Sequence, residues 1–486
     1  MGRVQRGFGR LRLGRRTKAV NGEAMISKEQ AGDIFDRIRR YSSADEVEVF
    51  FSGARFALTR FANNAIHQNV EDENCVASIR TNLGGRTARA AANQFDEASL
   101  RRAVEASESL ARVQEPDPDL LPMPDAREAA GADKSVRASR FFEHTAAITP
   151  GDRSEAVGRI VAIADGHKLT TAGIYSSSES VEGIFNSRGL AEWHSQTLAE
   201  VSITMLAEDS SGWQKLNSPD VRNLDPAQLA ETAARKAVES ARPREVPPGK
   251  YAVVLEPSAA LDIVGFMFWD FSGMAILDQR SFLNGRIGTQ LFGENINIWD
   301  DAAHPLQAGS PFDGEGMQRQ RVQLVEKGIV KRVVYARGTA AKMKKSELAD
   351  KAGPIKATGH GFLLPNEMGE MPQNIVVGGA EKPQSVDQMI ASTERGILVT
   401  RLWYIREIDP YEKIVTGMTR DGTFLIENGK VQFGLRNFRF NQSLIGMLLN
   451  VEATGAPVRA CGEESFDMVV PAMKVKEFNF TEVTRF

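Results

Sequence analysis

The side chains that most often perform catalysis or bind metal ions are few in this chain and widely spaced. The six histidines are His67, His144, His167, His194, His304 and His360. None of them belongs to an H-E-x-x-H motif, which places two imidazoles and a glutamate on one helical face. The two cysteines form no C-x-x-C pair, and the chain contains no G-x-G-x-x-G, Walker or G-x-S-x-G motif. Local motifs therefore identify no catalytic class.

A second group of residues has the chemistry of a binding surface. Residues 399–406 and 416–422 concentrate arginine and aromatic side chains near predicted turns. Arginine pairs with carboxylates and aromatic rings supply contact area, so a peptide groove is one interpretation. An amphipathic hairpin whose arginines face water is the other. The groove candidates are Arg401, Trp403, Tyr404, Arg406 and Arg420.

Composition excludes several classes of protein. The 486 residues are 42% apolar and 25% charged, which is typical of globular domains and not of disordered, collagen-like or disulfide-rich chains. Lys plus Arg total 60 against 63 for Asp plus Glu, so no excess positive charge attracts nucleic acid or acidic lipid. Two cysteines fit a reducing cytoplasm, and no apolar run approaches the roughly 20 residues of a membrane helix. We expect a cytoplasmic protein that binds neither membrane nor nucleic acid.

Residues 1–24 differ from the rest of the chain. They contain seven basic residues among glycines and no acidic residue before Glu23. Because an apolar core is missing, they do not form a secretory signal, and we predict a disordered extension or sequence translated upstream of a start at Met25. A nucleic-acid-binding arm or a targeting segment is the alternative. Without the seven basic residues and Glu23 the net charge changes from −3 to −9, so the remainder is acidic.

The elements that must position any site fall into two predicted domains. Residues 25–245 predict an α+β domain, with a helix capped by Ser27, strands from Glu46 and a helix capped by Asp96. The pattern divides the early strands into runs near 46–51, 56–61, 74–81 and 86–92, and later strands into runs near 170–176, 182–186 and 198–206. Helices are predicted at 151–163 and 225–241. Residues 113–134, rich in Pro, Asp and Glu, predict an exposed linker.

Prolines at 243, 247 and 248 mark the predicted boundary with a second domain. Residues 246–486 predict many short strands, beginning with 251–255 and separated by turns such as Asn428-Gly429. The fold class is therefore α+β, with an N-terminal mixed domain and a β-rich C-terminal domain.

Four longer strings resemble signatures of the TldD/PmbA family. They are LTRFANNAIHQN at 58–69, NLGGRTA at 82–88, IENGKV at 426–431 and VPAMKV at 470–475. Their order along the chain matches as well. Between the second and the third string lie the proline-rich junction, an apolar segment and then NGRIG at 284–288, which is also the order in the family. The resemblance covers about residues 28–486, which is everything except the basic extension.

The resemblance implies a cytosolic metallopeptidase that acts on unfolded peptides and works as a dimer around a central cavity. In the catalytic member a helix carries H-E-x-x-x-H, and a cysteine near the C-terminus completes the zinc site. Two imidazoles and a thiolate would then leave one position for a water molecule that the glutamate deprotonates. The non-catalytic partner has the same fold but lacks the histidines.

This chain departs from the catalytic pattern at the motif itself. The corresponding stretch is DIVGFMFWD at 262–270, with Val264 and Trp269 near the two imidazole positions. Neither side chain binds metal, and Asp262 and Asp270 alone do not make a zinc site. We predict a buried helix with Phe266, Met267 and Phe268 in the core. Cys461 stands near the family's ligand cysteine and is interpreted as a remnant or a cavity-wall thiol, whereas Cys75 is predicted to be buried in a strand.

Three hypotheses follow. The preferred one is a metal-free, TldE/PmbA-like subunit that presents unfolded peptide to a partner carrying H-E-x-x-x-H, or that pairs with a second copy. Zinc is then expected only in the catalytic partner, and this chain has no catalytic residue. The second is an autonomous metallopeptidase with a non-standard site that uses Cys461. The third, from another class, is a modulator of DNA gyrase or a non-enzymatic peptide-binding protein.

Overall fold

The computed structural model describes residues 25–130, 139–378 and 381–484. The predicted basic extension, residues 1–24, lies outside the described residues. Across the described part, helices and sheets alternate as expected for an α+β protein, and that prediction of fold class is confirmed. No helix among these residues is long and apolar enough to span a bilayer.

The N-terminal half is built on one antiparallel sheet of six strands. These are β1 (Glu46–Ala62), β2 (Ala65–Leu83), β3 (Arg86–Ala92), β4 (Thr170–Asn186), β5 (Ala191–Leu206) and β6 (Ser211–Ser218), in the spatial order β3-β2-β1-β4-β5-β6. The helices are α1 (Lys28–Tyr41), α2 (Glu97–Arg112), α3 (Ala126–Ala129), α4 (Glu143–Ala146), α5 (Pro150–Gly166) and α6 (Pro226–Glu239), with a 3-10 turn at Val221–Asn223.

The helices begin where the sequence predicts. Ser27 and Gln30 form the capping box of α1, and the Asp96 carboxylate accepts the Ser99 amide at the start of α2. Helices α1 and α2 bury their apolar faces in one core of the sheet, while α5 and α6 pack in another. Both cores are therefore made by amphipathic helices covering a sheet.

The strands are longer than the sequence pattern predicts. The runs at 46–51 and 56–61 are one strand, β1, and β4 likewise spans both 170–176 and 182–186. The hairpin between β1 and β2 turns at Asn63 and Asn64, which have φ of 50° and 58°. Asparagine tolerates this left-handed conformation, so the Asn-Asn pair supplies a tight turn without glycine. Cys75 lies in β2 and is half-buried rather than buried.

The prediction of an exposed linker at 113–134 is wrong for part of the described residues. Met123 and Ala129 are 1% exposed, and α3 forms within the segment. The Arg337 guanidinium donates to the Pro122 carbonyl and pairs with Glu128 at 2.7 Å. Proline and acidic residues here dock the segment onto the C-terminal half, because its carbonyl and carboxylate groups receive a buried arginine.

Within residues 246–378 and 381–484, the C-terminal half contains two further sheets and five short helices. Its strands are β7 (Gly249–Leu255), β8 (Asn297–Asp300), β9 (Val322–Glu326), β10 (Ile329–Val330), β11 (Ile375–Gly378), β12 (Arg395–Val399), β13 (Leu402–Asp409), β14 (Ile414–Thr419), β15 (Thr423–Glu427), β16 (Lys430–Gly434), β17 (Phe438–Ser443), β18 (Val451–Thr454), β19 (Val458–Ala460), β20 (Met468–Val470) and β21 (Met473–Val483). Its helices are α7 (Pro257–Val264), α8 (Gly273–Leu277), α9 (Arg337–Lys345), α10 (Val386–Ala391) and α11 (Leu444–Leu449), with 3-10 turns at Gly265–Asp270 and Ala349–Lys351.

One sheet has the order β10-β9-β8-β11-β20-β19, and the other has the order β13-β14-β17-β21-β7-β12-β15-β16, with β18 also paired to β21. The β15–β16 hairpin turns at Asn428-Gly429, as predicted, with φ of 51° and 73°. A large core contains residues of both sheets and of α7, and a smaller core includes Met389 and Ile390 of α10. Strand β13 is at the edge of its sheet, which leaves one side of it available for other contacts.

Strand β6 joins the two halves. Its Asn217 side chain donates to Asp467 at 2.6 Å and accepts from Arg459, and Lys215 lies 3.4 Å from the Gly462 carbonyl. Gly212 allows β6 to approach α6, because a β-carbon there would lie 2.0 Å from the Ala233 carbonyl oxygen. The packing of α6 on β6 therefore depends on a residue without a side chain.

Two glycine substitutions should change stability in opposite directions. Gly212→Ala forces α6 away from β6, and we expect a loss of about 1–3 kcal/mol in the free energy of unfolding. Gly158→Ala, in the exposed face of α5 with open space around it, should gain about 0.5–1 kcal/mol. Thermal and urea unfolding of both variants would check this, and a Gly212→Ala protein as stable as the wild type would contradict the packing of β6.

Candidate functional site

The segment that resembles the family's metal motif begins as a helix and ends as a tighter turn. Helix α7 ends at Val264, and a 3-10 turn continues through Asp270. Val264 is 1% exposed and points into the core, whereas Trp269 is 47% exposed. Met267 and Phe268 are buried as predicted, but Phe266 is only partly buried. The predicted buried helix is thus wrong for the last turn, which tightens and presents Phe266 and Trp269 to a cleft.

Gly265 occupies the position that follows Val264, where the H-E-x-x-x-H spacing would place the glutamate. A β-carbon on Gly265 would lie 1.8 Å from the Ser465 hydroxyl oxygen and 2.4 Å from its β-carbon. Ser465 therefore fills the space that a glutamate side chain would need. Neither this position nor Val264 and Trp269 can supply a zinc ligand or a general base.

Cys461 does not restore the missing donors. It is 1% exposed, and burial together with the nearby Asp467 carboxylate raises the pKa of the thiol, which favours the protonated form. Among residues 25–130, 139–378 and 381–484, no group of three or more His, Cys, Asp or Glu side chains could hold a metal ion. The residues of this chain therefore do not fit the family's zinc site.

A cleft of about 650 Å³ opens beside this segment, and we call it the Trp269 cleft. The 3-10 turn forms one wall, the 461–467 loop forms the second, and the end of β13 with the turn into β14 forms the third. The side chains and backbone that line it are Gly265, Phe266, Trp269, Asp270, Arg280, Glu407, Pro410, Lys413, Glu463, Glu464, Ser465 and Phe466.

Lys413 controls the charge on one wall of the Trp269 cleft. Its ammonium group is 3% exposed and lies 2.5 Å from an Asp270 oxygen and 2.6 Å from a Glu407 oxygen. Burial raises the pKa of Asp270, and the Lys413 charge opposes that rise without cancelling it. The ammonium group is thus occupied by two carboxylates, and this wall carries no free cation for a ligand.

Asp262 anchors the 461–467 loop through its carboxylate. Its Oδ1 accepts the amides of Glu463 and Glu464 at 3.1 and 3.0 Å, while Oδ2 has no hydrogen-bond partner among the described residues. Burial raises the pKa of Asp262 to about 7, against the opposing effect of the two amides. Asp262 is therefore a loop anchor, and not a metal ligand.

The five groove candidates separate into two sets. Arg401 is 7% exposed and pairs with Asp421. Its guanidinium stacks on the ring of Trp213 at 4.2 Å and on the ring of Trp403 at 5.0 Å. Arg420 stacks on the same Trp403 ring. Arg401 is thus unavailable to pair with a peptide carboxylate, because its guanidinium is buried in this stack. Its inclusion among the groove residues is wrong, and Trp403 and Arg420 stay predictions.

Tyr404 and Arg406 form the second set, and both contact Glu464, a residue that lines the Trp269 cleft. Strand β13 bulges here, since Trp403 pairs with Met418 and Arg406 with Thr416, which leaves Tyr404 and Ile405 against one residue of β14. The Glu464 carboxylate accepts the Tyr404 amide at 2.8 Å and the Ile405 amide at 3.0 Å. Arg406 stacks on the Tyr404 ring at 4.5 Å and lies 3.5 Å from Glu464. These contacts fix the 461–467 loop against β13.

Sequence reasoning missed the residues that shape the cleft. Lys413, Glu464 and Ser465 belong to no motif, and nothing in their spacing indicates that they meet the 262–270 segment. One local feature indicates this cleft. Gly265 interrupts an otherwise apolar run, and such a glycine is typical of a position where another part of the chain approaches closely.

Comparisons with known proteins identify the family. Three domain profiles of one family match in chain order: PmbA/TldA metallopeptidase domain 1 at residues 47–111, the central domain at 126–241 and the C-terminal domain at 248–482. The metalloprotease PmbA of Escherichia coli O157:H7 is 22% identical over 479 residues, covering 94% of this chain and 97% of that protein. The PmbA homologue of Haemophilus influenzae is 24% identical, covering 79% of this chain and 82% of that protein.

Solved structures agree with the fold. TldE from Thermococcus kodakarensis superposes with a TM-score of 0.80 at 18% identity, covering 93% of this chain and all of that one. A protein from Thermotoga maritima described as a modulator of DNA gyrase gives a TM-score of 0.78 at 17% identity, with the same coverage. At these identities the structures support the fold alone. Because the three profiles together span most of the chain in order, this protein belongs to the PmbA/TldD metallopeptidase family.

Proposed function

We propose that this chain is the metal-free, TldE/PmbA-like subunit of a cytoplasmic peptidase that processes unfolded peptides. It forms part of the cavity and holds an extended peptide, while a partner chain carrying H-E-x-x-x-H supplies zinc and the general base. Peptide-bond hydrolysis needs an activated water molecule or a nucleophile, and no histidine or cysteine is among the described residues that line the Trp269 cleft to activate either one. The reacting groups would therefore come from the partner.

The contact between Ser465 and Gly265 carries this proposal. A chain that had merely exchanged its zinc ligands would retain room for the glutamate, whereas here the 461–467 loop fills that space. The loop is fixed by two amides on Asp262 and by the Phe466 ring, which lies edge-on to Phe268 at 6.3 Å between ring centres. These contacts support a site rebuilt for holding a ligand, since they stabilise the cleft in a form without metal donors.

The lining of the cleft supports a peptide as that ligand. Phe266, Trp269 and Phe466 offer apolar contact area, and the adjacent strand β13 is an edge strand with exposed Tyr404, Arg406 and Glu407. Addition of a peptide strand to an edge gives binding that depends little on sequence. The bulge at Tyr404 and a second irregularity between Glu407 and Asp409 restrict such pairing to a short stretch, so the cleft must contribute much of the contact.

Reconstitution with a partner tests the proposal. The chain should be co-expressed with the H-E-x-x-x-H homologue from the same genome and assayed on casein and short peptides. We expect cleavage that a chelator abolishes in the mixture, and none with this chain alone. Cleavage by the isolated chain that a chelator stops and zinc restores would overturn the proposal.

A cleft variant tests the holding role separately. Trp269→Ala removes an exposed ring from the cleft, and in the reconstituted mixture we expect the KM for peptide to rise about tenfold while kcat changes little. Leu449→Ala is the control and should behave as the wild type, because Leu449 is an apolar residue of similar exposure that does not line the cleft. An unchanged KM for Trp269→Ala would exclude this cleft as the peptide site.

The Asp262 anchor predicts a specific pH dependence. Its pKa rises from an ordinary 3.8 to about 7 on folding, so folding binds a proton between these values and the wild type loses stability as pH rises from about 4 through about 7. Asp262→Asn keeps an oxygen for the two loop amides and cannot ionise. The stability of the variant relative to the wild type should therefore increase across this range, by at most about 4 kcal/mol.

Unfolding transitions at a series of pH values would measure this difference. Asp33→Asn, on the exposed face of α1, is the matched control and should run parallel to the wild type. If Asp262→Asn also ran parallel to the wild type, the carboxyl would not be the titrating anchor of the loop.

A further inference from the structure

We propose that the bulge of β13 is a binding site for the C-terminal carboxylate of a peptide, and that Glu464 occupies it as an internal substitute. This rests on the proposed function, since it specifies which end of a held peptide is recognised. The ligand class is any peptide with a free terminal carboxylate whose last side chain enters the Trp269 cleft.

The backbone of the bulge has the geometry of an anion site. Tyr404 has φ of 55°, a left-handed conformation that is unusual for a tyrosine. It directs the amides of Tyr404 and Ile405 at one carboxylate, each donating to a different oxygen at 2.8 and 3.0 Å. Successive amides arranged in this way form concave anion-binding sites, and capture of a terminal carboxylate is one of their uses.

Arg406 adds the charge that such a site requires. Its guanidinium lies 3.5 Å from the Glu464 carboxylate, and its side chain is 60% exposed. The Tyr404 ring beneath it is also exposed, whereas the Glu464 side chain that fills the site is only 10% exposed, so a ligand gains access when Glu464 rotates out. A carboxylate arriving from outside would therefore meet two amides and a cation, which is a stronger arrangement than neutral donors alone.

Glu464 can leave without unfolding the loop that carries it. On one side the Glu463 amide donates to Asp262 and Lys215 lies 3.4 Å from the Gly462 carbonyl, and the backbone amide of Glu464 itself also donates to Asp262. On the other side Phe466 packs on Phe268. The side chain of Glu464 is thus the part of the loop that can rotate away while both flanks stay in place.

The position of the bulge relates it to the cleft. Glu464 both occupies the bulge and lines the Trp269 cleft, so a carboxylate that replaced it would place the preceding residue beside the cleft mouth. Phe266, Trp269 and Phe466 make that region apolar, and a terminal aromatic side chain fits it best. Displacement of Glu464 reduces the apparent affinity of the wild type, because the binding-competent state is a fraction of the population.

Calorimetric titration of the full chain tests this directly. The probes are an N-acetylated tetrapeptide ending in phenylalanine with a free carboxylate and the same peptide as its C-terminal amide. We expect Glu464→Ala to bind the free acid about tenfold more tightly than the wild type, and to prefer the acid over the amide by about tenfold or more. Glu482→Ala, which removes an exposed carboxylate of β21 that does not line the cleft, is the matched control and should bind as the wild type does.

Equal binding of acid and amide by Glu464→Ala, or no binding of the acid by a folded variant, would overturn the site. If Glu464→Ala does not fold, Glu464→Gln is titrated in its place and its melting temperature is compared in sodium acetate and sodium chloride of equal ionic strength. A stabilisation by acetate over chloride that exceeds the same difference in the wild type supports the site, and an equal difference in both proteins overturns it. Reconstituted cleavage without acid preference would reject this site alone, whereas zinc-dependent cleavage by the isolated chain would reject the proposed function.

Discussion

Ser465 packs against the bare backbone of Gly265 so closely that a β-carbon at residue 265 would lie 1.8 Å from its hydroxyl oxygen. The contact decides where the 461–467 loop lies, and the loop in turn forms a wall of the Trp269 cleft. It also brings Glu464 to the bulge of β13 and places the Glu463 and Glu464 amides on Asp262. A side chain at residue 265 would displace all of these together, because each depends on the same short loop.

The surroundings of this loop show how charges are stabilised where the two halves meet. Arg401 is buried between Trp213 of β6 and Trp403 of β13, and its charge is balanced by Asp421. Lys413 is similarly buried between Asp270 and Glu407. A buried charge is tolerated when it is paired and hydrogen-bonded, so these residues serve the architecture of the cleft walls. Arg406 and Arg420 are exposed, and so is Arg280, which lines the cleft and pairs with Asp278 at 3.2 Å.

Much of the fold could be predicted from local patterns, because helix caps and alternating strands are local. Ser27, Asp96 and the Asn428-Gly429 turn fall where their chemistry requires. The length of β1 could not be predicted, since Gly53 interrupts the apolar alternation within residues 52–55 and the strand continues there because β2 and β4 pair with it on both sides. The docking of residues 113–130 depends on Arg337, which lies more than 200 residues away in the chain.

The candidate site illustrates the same limit. The sequence alone shows that residues 264–269 contain no histidine and no glutamate. The family resemblance indicates that these residues correspond to the zinc motif of the catalytic members. Three contacts join residues that are far apart in the chain: Ser465 with Gly265, Lys413 with Asp270, and Glu464 with the bulge of β13. The spacing of residues in the sequence therefore could not predict them. Arg401 was misassigned because an arginine beside aromatic residues has the same pattern whether it faces a groove or a buried ring.

The proposed role requires that this chain hold no zinc at the position where its family's catalytic members have their motif. Elemental analysis of the isolated, tag-free chain after exposure to zinc and removal of loosely bound metal tests that claim most directly. We predict far less than stoichiometric zinc, unchanged by Cys461→Ser. Close to one zinc per chain, lost on Cys461→Ser, would contradict the account, because it would require donors that Val264, Gly265 and Trp269 cannot provide.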